Sequence, residues 1–136
     1  MIRKTNGFLE EYTDRTESGD ILIGRELWKE LAQLREAQCG GYYIYDTTEA
    51  DRRIRFMEGC LRLTKSPFYG QPMRLMLWQK AWICALYGFK MPQDGTDRFR
   101  RSLLMISRKS GKSELCSALA LTEMFIGPKG ADIVCS

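Results

Sequence analysis

The 136-residue sequence predicts an α/β fold: a mainly helical region over 1–98 leads into the start of a phosphate-loop (P-loop) core over 99–136. Three observations carry this. Apolar residues recur at helical spacing in successive stretches before residue 90. A short apolar run of strand length, Ser102-Leu103-Leu104-Met105-Ile106, is bounded by polar residues. Gly111-Lys112-Ser113 then stands between that run and a strong helix former.

Taken in order, the polar opening predicts a short helix around Asn6 to Arg15 and a turn at Gly19. From Ile21 to Gln38, the residues Ile23, Leu27, Leu31 and Leu34 form an apolar stripe with Trp28 beside it, and Gly40-Gly41 stops the pattern. Tyr42 to Asp46 is an aromatic connector. Thr48 with Asp51 three residues on marks a helix start, with Ala50, Ile54, Met57 and Leu61 as the buried stripe. Arg52, Arg53, Arg55 and Arg62 would cover the remaining, solvated surface. Pro67 ends this element by biasing Ser66 away from helical dihedrals.

After Gly70-Gln71-Pro72, the run from Met73 to Leu86 is apolar almost all round, as in a helix packed on several sides and capped by Gly88. Trp78 and Trp82, four apart, read as core packing. Lys90 to Asp97 is a polar loop, Ser102 to Ile106 a buried strand, and Glu114 to Ile126 a helix stopped by Gly127-Pro128. Ala131 to Cys135 opens a second strand.

Composition narrows the chemistry. With 44% hydrophobic and 28% charged residues the chain is of ordinary globular type, and one domain is the most it holds. No apolar run reaches the roughly 18 residues of a membrane span, and charges break any leader-like core near the start, so a soluble, unexported protein is expected. Histidine is absent, which excludes His-based triads, proton shuttles and Cys/His zinc sites. The five cysteines are odd in number, widely spaced and free of any CxxC pair, and they read as small buried hydrophobes. Charge is uneven: residues 1–49 carry 6 basic and 10 acidic side chains, whereas residues 50–101 carry 11 and 4. A basic middle third fits a phosphate-bearing partner, or simply an Arg-rich solvated helix face.

The Gly111-Lys112-Ser113 triplet is the distal half of a phosphate-binding loop. Loop amides and the free amides of the following helix surround phosphate oxygens, and Gly111 lets the backbone approach closely. Lys112 is placed to neutralise the β- and γ-phosphates, and the Ser113 hydroxyl is a hard oxygen ligand suited to Mg²⁺. The full GxxxxGK[ST] pattern asks for Gly at position 106, where this chain has Ile106.

The stretch from Arg101 to Glu114 (RSLLMISRKSGKSE) resembles the deviant Walker A segment of phage terminase large subunits, in which the first Gly is commonly missing and basic residues stand inside the loop. Upstream, Tyr45-Asp46, Arg53 to Glu58, Lys65 to Pro72 and Leu77-Trp78-Gln79-Lys80 are similar to segments preceding that family's ATPase core, so the likeness runs from about residue 40 onward. It implies an ATP-driven motor that packages double-stranded DNA into a procapsid, with ATP and Mg²⁺ as cofactors. Ser107, Arg108, Lys109, Ser110, Gly111, Lys112, Ser113 and Glu114 would surround the nucleotide. Arg108 would stabilise transition-state charge alongside catalytic Lys112, Ser113 would hold Mg²⁺, and Gln79 would read adenine, although a solvent-facing or core-capping Gln fits that position equally well. Implied partners are the DNA, a small terminase subunit, a portal protein and further copies in a ring, in the cytoplasm of an infected bacterium and away from membranes.

The family's Walker B acids and nuclease cluster would lie past residue 136, so the sequence reads as an N-terminal piece of a longer motor or a shortened reading frame, with weak nucleotide binding alone. Two other readings stand beside it: another P-loop NTPase such as a helicase, and a non-catalytic basic DNA-binding or interaction module.

Overall fold

The computed structural model describes residues 7–134. The described residues form five helices and one small sheet in the order α1 (Phe8–Glu17), α2 (Arg25–Cys39), β1 (Ile44–Tyr45), α3 (Thr48–Cys60), α4 (Leu77–Gly88), β2 (Phe89–Lys90) and α5 (Lys112–Ile126). The chain divides into two compact units, Met1–Asp51 with Met76–Ser102, and Arg52–Leu75 with Leu103–Ser136.

In the first unit, α1 packs chiefly on α4. Leu9 and Tyr12 of α1, Leu31 and Leu34 of α2, Ala81, Ile83 and Cys84 of α4, and Phe89 are buried. Of the expected α2 stripe only Leu31 and Leu34 are inside; Leu27 and Trp28 are exposed and Ile23 is half-buried. Polar links tie α2 to α1: the Arg35 guanidinium donates to Asp14 at 2.5 Å and Glu17 at 2.9 Å, and Gln38 donates to Glu10 at 3.0 Å. The Asp14 hydrogen bond and both carboxylate charges hold the Arg35 pKa above its usual value.

The aromatic connector supplies β1, which pairs antiparallel with β2 in the register Ile44 opposite Lys90 and Tyr45 opposite Phe89. Gly88 ends α4 for a reason other than a left-handed cap: the Tyr45 ring lies 2.7 Å from where a Cβ would stand. The Arg98 guanidinium lies 4.1 Å over the Tyr43 ring and 4.7 Å from that of Phe99, so cations and rings close this end of the sheet.

α3 begins at Thr48, where Asp46 accepts hydrogen bonds from the Thr48 amide at 3.0 Å and hydroxyl at 2.6 Å. These bonds hold the Asp46 carboxyl below its ordinary pKa. A depressed carboxyl stabilises the fold above the unfolded-state value of about 3.9 and loses that contribution as pH falls through the folded-state value. Asp46→Ala is therefore expected to lower Tm at neutral pH, with a gap to wild type that narrows below about pH 4, as thermal melts across that range would record.

The second unit departs most from expectation. The helix expected from Met73 starts only at Leu77; Met73 and Leu75 are buried in extended backbone while Arg74 and Met76 are exposed. That alternation is the two-residue period of extended chain. Residues 102–106 form no ladder: Leu104 and Ile106 are half-buried, while Leu103 and Met105 are 84% and 83% exposed. A strand needs a hydrogen-bonded neighbour, and among the described residues this segment has none. Residues 131–134 likewise form no strand, with Val134 exposed, and Cys135 lies outside the described residues, as does Asn6.

The observed architecture is thus mixed helix with one two-stranded sheet. Cys84 is buried, which pushes its thiol up to about 12, but Cys39, Cys60 and Cys116 are exposed, against the expectation of buried cysteines. Among the described residues no helix is long and apolar enough to cross a membrane.

Candidate functional site

The phosphate-loop residues fall in the second unit, on one contiguous turn and the first turn of α5. Arg108 and Lys109 form the turn, and Lys109 adopts a left-handed φ of 64°, which is uncommon for a residue with a Cβ. The Ser107 and Ser110 hydroxyls lie 2.6 Å apart and clasp the turn from both sides. Gly111 follows with φ 76° and ψ 17° as the N-cap of α5, which starts at Lys112, two residues before the expected Glu114.

The N-cap is left-handed and no side chain caps the helix. The first α-helical bond runs from the Leu115 amide to the Gly111 carbonyl at 3.0 Å. Helix geometry therefore leaves the amides of Gly111, Lys112, Ser113 and Glu114 without an intrahelical acceptor. They stand at the positive end of the helix dipole, beside the exposed cations Arg108, Lys109 and Lys112. The Ser113 side chain is exposed on the same turn, and Glu114, half-buried, is the one acidic side chain there. Such a terminus can hold an oxyanion of phosphate size.

A Cβ on Gly111 would meet nothing within 4 Å, so any penalty for substitution there is conformational. Gly111→Ala is expected to cost about 1–2 kcal/mol, because an L-residue is forced into the left-handed region. Chemical denaturation monitored by circular dichroism measures it.

α5 is seated by the buried residues Leu115, Ala118 and Thr122, whose hydroxyl donates to the Ala118 carbonyl at 2.6 Å. Its last turn is held by a contact that the sequence reading missed. Arg53, expected on the solvated face of α3, is buried and donates through Nε to Glu123 Oε1 at 2.5 Å and through Nη2 to Oε2 at 3.4 Å. The signal was available in the spacing: Arg53 is three residues from Ala50 and four from Met57, and so falls on the buried stripe itself.

Gln79 lies in the other unit, on α4. It is buried, and its Oε1 accepts a hydrogen bond from the Met76 amide at 2.8 Å, so this carboxamide oxygen closes the first turn of its own helix. Trp78 and Trp82 are half-buried there. A cavity of about 170 Å³ in that unit is lined by Leu86, Tyr87, Asp97, Phe99, Arg100, Arg101 and Ser102, and contains none of the expected site residues.

Residues 77–135 match the family model described as "Terminase large subunit, ATPase domain", a stretch that includes both α4 and the whole phosphate loop. The resemblance to terminase large subunits is borne out. The chain is also 35% identical over 82 residues, 60% of its length, to the "Terminase, large subunit" of Enterobacteria phage HK97. That alignment spans 15% of the relative's own length. No solved structure matches significantly.

Proposed function

We propose that this chain is the N-terminal, nucleotide-binding portion of a terminase-type motor that couples ATP hydrolysis to packaging of double-stranded viral DNA. The observation that carries the reading is the uncapped N-terminus of α5 behind a left-handed Gly111, within a segment matched by the terminase ATPase family. On this reading the amides of residues 111–114 cradle the phosphates, Lys112 offsets the β/γ charge, and Arg108 meets the charge that builds on the transferring phosphoryl.

The single exposed hydroxyl of Ser113 fits Mg²⁺, which keeps several waters and phosphate oxygens and needs few protein ligands. Held there, the ion would supply charge neutralisation to the phosphates. Gln79, as the resemblance implies, is the candidate reader of adenine. The domain division of the reading is a helical part over 1–98 and the start of the α/β P-loop core over 99–136. The half-buried Leu104 and Ile106, alternating with exposed neighbours, support strand-like geometry ahead of the loop. Double-stranded DNA, a small terminase subunit, a portal protein and a ring of motor copies are the partners of the complete motor, in the cytoplasm of an infected bacterium.

The test is calorimetric titration of the chain with Mg-ATP and with Mg-AMP. ATP is expected to bind at least about 10-fold more tightly, because the cradle and Lys112 act on the β- and γ-phosphates that AMP lacks. Equal affinity for the two, or binding of neither, overturns the reading.

A further inference from the structure

Residues 59–93 contain no Asp or Glu, and five basic side chains. Three of these, Arg62, Lys65 and Arg74, belong to the second unit, which carries ten basic and four acidic residues in all. They lie on an antiparallel hairpin. The Met73 amide donates to the Leu61 carbonyl at 3.0 Å, Leu63 to Gln71 at 2.9 Å and Gly70 to Leu63 at 2.8 Å, with Arg62 bridged to Pro72. Buried Met73 and Leu75 anchor the returning limb, and the left-handed Gly70 makes the tip.

That tip presents Phe68 and Tyr69 to solvent, 56% and 77% exposed. Among the described residues none of Arg62, Lys65 and Arg74 has an ion-pair partner, and all three side chains are exposed. Arg62 donates to the Gly70 carbonyl at 3.3 Å, and none of the three cations is neutralised by a carboxylate among the described residues. Aromatic rings left in water between such cations match the chemistry of a phosphodiester chain with accessible bases. Cations of one sign with no carboxylate among them favour a polyanion over a protein surface of mixed charge.

We propose that the 61–74 segment, the hairpin with Arg74 directly after its last pairing, is a nucleic-acid contact separate from the phosphate loop: Arg62, Lys65 and Arg74 neutralise phosphodiester oxygens while Phe68 and Tyr69 stack on bases. The inference rests on the reading of the chain as part of a DNA-handling motor. All five side chains are exposed, so their replacement leaves the fold in place, which far-UV circular dichroism verifies.

Fluorescence anisotropy of a labelled oligonucleotide, as single strand and as duplex, is measured against salt with the full chain and two variants. Arg62→Gln/Lys65→Gln/Arg74→Gln is expected to weaken both complexes at least about 10-fold at low salt and to reduce the salt slope by about 2–3. Phe68→Ala/Tyr69→Ala is expected to weaken the single-strand complex about 10-fold with the slope unchanged. If the wild-type chain binds DNA and both variants bind it equally well, the hairpin proposal fails while the motor reading stands; an altered oligomeric state in light scattering would then assign the hairpin to protein contact. If the wild-type chain binds neither form, the hairpin proposal fails, and the titration with Mg-ATP and Mg-AMP decides the motor reading separately.

Discussion

Arg53→Ala is expected to destabilise the chain by about 3 kcal/mol, the largest effect of any single substitution considered, because it takes the two-pronged guanidinium contact from a mostly buried carboxylate. The Arg53 and Glu123 side chains are only 6% and 24% exposed, and they join α3 to the last turn of α5. In water each ion would be fully solvated; here deleting the guanidinium removes two charge-assisted hydrogen bonds from a carboxylate that water reaches only in part. Arg53→Lys is expected to recover little, since an ammonium cannot reproduce the two-pronged contact made through Nε and Nη2. Arg53→Met combined with Glu123→Leu is expected to lie within about 1–2 kcal/mol of wild type, because an apolar pair of similar volume removes both charges together. Urea denaturation of the three variants checks this ordering. A double variant as unstable as Arg53→Ala would show that the pair contributes through something other than mutual charge compensation.

Lys112→Ala is expected to weaken Mg-ATP binding by about 10- to 100-fold, the range that one charge-assisted hydrogen bond to phosphate supplies. Lys112 is exposed on the first turn of α5, so the substitution should leave thermal stability close to wild type. This separates it from Arg53→Ala, which acts on the fold. Lys112→Arg keeps the charge but exchanges a compact ammonium for a broad planar fork, and is expected to bind with intermediate affinity. Titration calorimetry with matched thermal melts distinguishes loss of the phosphate contact from loss of structure. Equal affinity in wild type and Lys112→Ala would remove this residue from the site.

The parts of the fold that were legible in the sequence are those written by local rules. The α2 stop at Gly40-Gly41, the α3 stripe of Ala50, Ile54 and Met57, and the turn at Gly111 all follow from period and backbone conformation. What was not legible depends on partners far along the chain. Arg53 reads as one more solvated arginine until Glu123, seventy residues on, is seen to meet it. Met73 and Leu75 belong to an apolar run that fits a helix as well as an extended segment, and only the pairing of Met73 with Leu61 decides for the latter. Residues 102–106 have the composition of a buried strand, but burial of both faces is supplied by neighbours rather than by the segment itself.

The candidate site divides in the same way. Its contiguous part, Ser107 to Glu114, was readable because phosphate loops are built from backbone and a few adjacent side chains. The left-handed Lys109 and the hydroxyl clasp of Ser107 and Ser110 add conformational detail that residue identities do not encode. Gln79 was readable as a polar residue on an apolar helix, and the structure shows the capping bond its oxygen makes.

The central claim is that nucleotide phosphates are held by the first turn of α5. Amide NMR spectra of the chain titrated with Mg-ATP test it most directly, since they locate even weak binding residue by residue. The expected result is that the amide signals of Gly111, Lys112, Ser113 and Glu114 move furthest and follow one saturating curve, and that those of Gly111, Ser113 and Glu114 need about 10- to 100-fold more nucleotide in Lys112→Ala. If these four signals do not move while others do, or if none moves at saturating nucleotide, the claim is contradicted.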